Sequence, residues 1–229
     1  MNRLLAVITL SVFSLPSFAE SPTTLFNGKS LDQWEFTPGG WEIDSQGAMF
    51  CNMEETKDKK GNVRIKGKGY IWTKQEYSDF VLTLSYKLST GANSGVFFRT
   101  DKDNPVQGGF EVQLLDDVGF QKVKGKKDPK NLNGAFYDCQ AASAQTAKPV
   151  GQWNDLKITM RGANLTIEIN GAVVNEANID RWDTPNMNPD GSKNKFRTAL
   201  RDLPQKGRIG FQNHGQVVWF KNVSIQTPH

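Results

Sequence analysis

Apolar and polar residues alternate with a period of two through much of this chain, and that period predicts strands. Phe80, Leu82, Leu84, Tyr86 and Leu88 alternate with Val81, Thr83, Ser85 and Lys87. Leu156, Ile158 and Met160 alternate with Asp155, Lys157, Thr159 and Arg161, and Leu165, Ile167 and Ile169 with Thr166 and Glu168. Val217, Trp219, Lys221, Val223 and Ile225 form a further row. Each row reads as a strand with one face in a core and the other in water. Asn170-Gly171 is a type I′ turn signal, so residues 164–175 are expected to form a hairpin. Many short strands without a long helical pattern predict an all-β sandwich or barrel.

Three stretches interrupt the alternation. Residues 57–68 and 121–130 are rich in Lys and Gly. They read as solvated loops, with a cationic rim on a binding face as the alternative. Residues 180–204 contain Pro185, Pro189, Gly191 and Pro204, which predicts a long excursion with a short helix near 196–202. Long loops in a compact domain are often functional. No internal repeat or linker divides the chain, so residues 20–229 read as one domain.

Composition narrows the partners. The chain has 229 residues, 23% of them charged, and a formal net charge of +4. That length can bury a core without metal or disulfide support, and the charge content excludes disorder along the whole chain. The basic residues neither follow a helix face nor interleave with aromatics, so no nucleic-acid partner is expected. Residues 1–19 read as a secretory signal: Arg3, an apolar run over 4–15, and Ser17-Phe18-Ala19 before the cut. The mature protein is therefore expected to be periplasmic or secreted, with no membrane partner after cleavage. That compartment permits a disulfide between Cys51 and Cys139, the only two cysteines. Two isolated buried thiols are the alternative.

Candidate chemistry gathers on three strands. In Phe110-Glu111-Val112-Gln113-Leu114-Leu115-Asp116, the apolar Phe110, Val112 and Leu114 face one way. Glu111 and Gln113 face the other, about 7 Å apart along the strand. A bulge after Leu114 would bring Asp116 onto their face. Val96 and Phe98 point to a core while Asn93, Phe97 and Arg99 line the opposite side. In Gly210-Phe211-Gln212-Asn213-His214, Phe211 packs inward, and Gln212 and His214 share the other side. The plain alternatives are a surface pair of Glu111 with Arg99 and a solvated turn histidine. Nothing matches a nucleophile elbow, a phosphate loop or a Cys-His pair.

Taken together, five blocks resemble a known family. They are Leu25-Phe26-Asn27-Gly28-Lys29-Ser30-Leu31-Asp32-Gln33-Trp34, Asn93-Ser94-Gly95-Val96-Phe97-Phe98-Arg99, the strand from Gly109 to Asp116, Gly151-Gln152-Trp153-Asn154, and Gly207-Arg208-Ile209-Gly210-Phe211-Gln212-Asn213-His214-Gly215. In this order they are similar to the 3-keto-disaccharide hydrolase domain family. The resemblance implies a concanavalin A-like jelly-roll β-sandwich with a carbohydrate-holding face. It also implies an exported bacterial enzyme acting on glycosides oxidised to a ketone at C3, in company with sugar 3-dehydrogenases. β-Glucanases of the same fold class carry Glu-x-Asp-x-x-Glu on the active strand. Here those places hold Glu111, Gln113 and Asp116, so the middle carboxylate is an amide and the retaining carboxylate pair is incomplete.

A 3-keto sugar does not need that pair. The ketone acidifies the C2–H, a base removes it, the C1 substituent leaves, and water adds afterwards. The route needs a base, an oxyanion stabiliser and a proton donor. Imidazole ordinarily titrates near neutrality, which makes His214 the expected base. Arg99 is the expected holder of the enolate oxygen, with Glu111 as acid or second base. Gln113, Asn213, Asn93, Asp116 and Trp153 are expected to contact the sugar. No cofactor is required. A divalent metal could replace Arg99, with Glu111 and His214 as candidate ligands. The competing reading is a lectin-like carbohydrate-binding module, which needs the aromatics and amides but no titrating base.

Overall fold

A computed structural model of the chain describes residues 21–228. The signal segment expected over residues 1–19 lies outside the described residues. Fifteen strands and one helix follow in order: β1 (Thr23–Phe26), β2 (Trp34–Phe36), β3 (Trp41–Ile43), β4 (Met49–Cys51), β5 (Met53–Lys57), β6 (Val63–Gly67), β7 (Ile71–Tyr77), β8 (Phe80–Leu88), β9 (Asn93–Thr100), β10 (Phe110–Leu115), α1 (Asp117–Lys124), β11 (Asn154–Arg161), β12 (Asn164–Ile169), β13 (Ala172–Asn178), β14 (Gly207–Phe211) and β15 (Val218–Gln226). An eight-stranded antiparallel sheet has the order β13-β12-β11-β8-β15-β4-β3, with β1 also on β15. It faces a five-stranded sheet ordered β10-β9-β14-β7-β2, and β5 and β6 form a separate hairpin. This is the concanavalin A-like jelly-roll sandwich.

The period-two rows build the core between the sheets. Phe80, Leu82, Leu84, Leu156, Ile158, Met160, Leu165, Ile167 and Ile169 are all buried. Phe211 of the small sheet stacks on Phe220 of the large one, with ring centroids 4.1 Å apart and planes 11° from parallel. Each such buried aromatic contributes roughly 1.5–3 kcal/mol of apolar transfer. The 164–175 hairpin forms as expected, with Asn170 and Gly171 both at positive φ (53° and 81°), the condition of a type I′ turn.

Three expectations are corrected. The last strand does not bury Val217, Trp219 and Lys221; Val218 and Phe220 are buried, followed by Val223 and Ile225. Between Lys221 and Ser224 the ladder shifts register, and Asn222 takes φ 54°. That bulge inverts parity partway along β15. Residues 57–68 are not simply a loop, because β5 and β6 pair across them. Residues 196–202 hold only a 3-10 turn, Leu200–Asp202.

Cys51 and Cys139 are not bridged; both thiols are free and buried. Cys51 Sγ lies beside β15, 3.4 Å from the donating amide of Val218 and 3.3 Å from the Gln216 carbonyl. Burial pushes its thiol up to about 11 and raises that of Cys139 as well.

Candidate active site

The outer face of the small sheet gathers most of the candidate residues. On β10, Phe110, Val112 and Leu114 enter the core, so Glu111 and Gln113 must emerge on the other side. The antiparallel register sets Glu111 opposite Phe97 and Gln113 opposite Gly95. A Cβ at position 95 would strike the Glu111 carboxylate, so only glycine leaves that carboxylate its place. Gln113 Nε2 donates to Asn93 Oδ1 at 2.9 Å, which fixes both amides. Tyr70, just before β7, stacks on Phe97 with centroids 5.6 Å apart.

Loops complete the walls. Lys195 arrives from the long excursion; its Nζ is 3.8 Å from Glu111 Oε2 and 4.3 Å from the centre of the Tyr137 ring. These groups, with Gln212, His214 and Val106, line a cleft of about 210 Å³. Glu111 lies on the floor with 5% exposure, while His214 is exposed at the rim. Larger cavities exist, but this cleft is the one that surrounds a buried, strongly perturbed carboxyl.

Burial pushes the Glu111 carboxyl up to about 7, against the pull of the Lys195 and Lys127 ammonium groups. Burial, then the charge of Glu111, raises the phenols of Tyr70 and Tyr137. Burial lowers Lys127, which Glu111 and Asp117 oppose. The cleft therefore holds an acid that changes charge near neutrality, with an ammonium beside it.

The structure brings Glu111, Gln113, Asn93, Gln212 and His214 together, and it sends four expected residues elsewhere. Arg99 is not at the site. A register shift between β14 and β9 and a φ of 47° turn it away from Phe97's side. Its guanidinium donates to the Ser78 carbonyl at 2.7 Å, the Gly162 carbonyl at 2.9 Å and Asp79 Oδ1 at 2.9 Å. Asp116 does not join Glu111 through a bulge. It caps α1, accepting from Gly119 N at 3.0 Å and Gly91 N at 2.7 Å. Asn213 faces away from the cleft, donating to the Asn52 carbonyl at 2.6 Å and accepting from Gly215 N at 3.2 Å. Trp153 lies at the large sheet instead, covered by Lys221 at 4.1 Å and Lys87 at 5.0 Å.

Sequence reading missed Tyr70, Tyr137 and Lys195 as site residues. The proline-punctuated excursion was the signal for Lys195, and the Lys-rich 121–130 run was the signal for Lys127. Among the described residues, no three His, Cys, Asp or Glu side chains converge as a metal site. Glu111 and His214 share the cleft without a third such ligand.

The model of the 3-keto-α-glucoside-1,2-lyase-like domain family matches residues 21–226. The chain belongs to this family. A 3-keto-disaccharide hydrolase of Bacteroides thetaiotaomicron is 27% identical over 98% of this chain and 84% of its own length. A solved Parabacteroides distasonis protein, provisionally assigned as a glycosyl hydrolase, superposes with a TM-score of 0.78 at 29% identity, covering 91% of this chain and all of that one. The Crh5 transglycosylase, solved with NAG, shares the fold at a TM-score of 0.53 and 14% identity, over 94% of this chain and 87% of its own.

Proposed function

We propose that this family member is an exported enzyme that cleaves 3-keto-glycosides by elimination and rehydration, a net hydrolysis. The observation that carries the reading is Glu111: a buried carboxyl brought to about 7 on the floor of a polar cleft. A general base works best when its pKa lies near the operating pH. The Glu111 carboxylate takes the C2 proton. The C2–H electron pair becomes the C2=C3 double bond of an enolate, and the carbonyl pair moves onto the C3 oxygen. Lys195 neutralises that charge, the role first expected of Arg99. The enolate then expels the C1 substituent, and His214 at the rim protonates the departing oxygen. Water adds to C1 and gives a proton back to His214, and Glu111, its proton exchanged with solvent after the leaving group departs, protonates C2.

Gln113, Asn93 and Gln212 orient the sugar hydroxyls, and Tyr70 offers a ring face. The same amides and ring favour the second reading, a lectin-like module that binds without turnover. The name of the Bacteroides relative supports the oxidised sugar as substrate class, and residues 1–19 support export. Incubating the mature protein with methyl 3-keto-glucoside and with methyl glucoside in D2O is the test. Cleavage of the ketone alone, with deuterium entering C2, is expected. Equal rates on both sugars overturn the elimination, and binding without cleavage or exchange leaves the module.

A further inference from the structure

A larger cavity, about 750 Å³, lies between α1 and residues 145–150, and the reaction above leaves it unused. Leu88, Leu115 and Leu132 line it. Val118 on the helix and Val150 on the other wall are 80% and 41% exposed, so its mouth is open and presents apolar side chains beside exposed Lys122, Gln145 and Lys148. Its volume is that of a site for a drug-sized ligand.

The cavity and the cleft are both lined from β10. Leu115 follows Glu111 and Gln113 on the outer face of β10, about 13 Å from Glu111 at the usual rise. It is buried yet stands outside the core cluster, and it pairs across the ladder with Asn93, which lines the cleft. The Lys127 ammonium feels the charges of both Glu111 in the cleft and Asp117 in the cavity wall. Its backbone amide donates to Gln121 Oε1 at 3.2 Å, on that same wall.

Several of the polar groups in the walls are already engaged. Asp116 holds the amides of Gly91 and Gly119, Asp117 accepts from Asn133 N at 2.9 Å, and Lys148 Nζ donates to the Trp153 carbonyl at 3.1 Å. A second sugar would bring hydroxyls to leucine and valine surface and forfeit hydrogen bonds with water. An aryl group would not.

Resting on the reaction proposed above, we infer that this cavity receives the leaving group of the same substrate and that the leaving group is aromatic. The oxidised ring sits at Glu111, and the aryl group extends along β10 past Gln113 to Leu115.

Two measurements on the full mature protein test this. The first is binding of free 2-naphthol by fluorescence, in wild type and in Val118→Glu and Val150→Glu. Both valines are exposed, so folding is retained, and circular dichroism checks it. Each charge at the mouth should weaken naphthol binding about tenfold. The second is kcat/KM for 2-naphthyl and methyl 3-keto-glucosides. The naphthyl value should fall about tenfold in both variants while the methyl value holds. Absence of naphthol binding, or equal binding in all three proteins, overturns the cavity assignment even if both glycosides turn over. Naphthol binding that the variants weaken, with no turnover of either glycoside, overturns the reaction and leaves an aryl site. A naphthyl-to-methyl ratio unchanged by the variants overturns the link between cavity and leaving group.

Discussion

Two buried charges on the small sheet have opposite surroundings. Arg99, at the end of β9, has three directional bonds, to two carbonyls and the Asp79 carboxylate, all within 2.9 Å. Glu111, on neighbouring β10, has its nearest ammonium at 3.8 Å and faces an open cleft. The first arrangement locks a turn between β7 and β8 to the β11–β12 turn at Gly162. The second leaves a carboxyl able to gain and lose a proton near pH 7. A fully bonded charge is a fastener, while a loosely partnered one in a cleft is free to react.

The sharpest way to break this contrast is Glu111→Gln. It should lower turnover of 3-keto-glucoside by up to about 10⁴-fold, the upper end for a general base. Stability should move the other way with pH. The folded-state pKa of Glu111 is raised, so the neutral carboxyl favours the fold below about pH 4.5, and that contribution is lost as pH rises through about 7. Melting curves should therefore show the variant gaining on wild type between pH 4 and pH 8. A constant difference across that range would contradict the burial argument.

Arg99→Ala should do the reverse. Asp79 is only half-buried, so losing the guanidinium and its three bonds costs roughly 1–3 kcal/mol, read by urea denaturation. Turnover per folded molecule should stay at the wild-type value. A large loss of kcat in folded protein would return Arg99 to the chemistry.

His214→Ala should cost about 10²-fold in turnover, the lower end for acid catalysis, because water at an open rim can replace the donor. Its stability should stay within about 0.5 kcal/mol, as for exposed positions. A substrate with a good leaving group, such as 4-nitrophenoxide, should recover most of the lost rate.

Trp153→Ala should give the smallest effect. Turnover should not change, and denaturation should show a loss of about 1–2 kcal/mol from the two ammonium–ring contacts and packing. A rise in KM would place the sugar on the large sheet and overturn the site.

The chain's alternation settles which face of a strand is apolar, because side-chain direction depends only on parity. Phe110, Val112 and Leu114 therefore declare Glu111 and Gln113 to be outside, and Asn170-Gly171 declares its own hairpin. Parity carries no information across a bulge. The positive φ at Asn222 and at Arg99 reversed or redirected what the pattern implied, since the register shift depends on the neighbouring strand. Asp116 was misread for a related reason: a short acid before a helix can cap it as well as continue a strand. Trp153, Asn213 and the two cysteines depend on which distant surfaces meet.

By itself, the sequence determined the all-β sandwich, the family and the strand that bears Glu111, because each is written in local order. Tertiary structure decided the rest of the site. Tyr70, Tyr137 and Lys195 reach Glu111 from separate parts of the chain, and burial where such segments meet raises that carboxyl to about 7 against the pull of the lysine. Desolvation is a property of the whole surrounding volume, so no single stretch of sequence could state it.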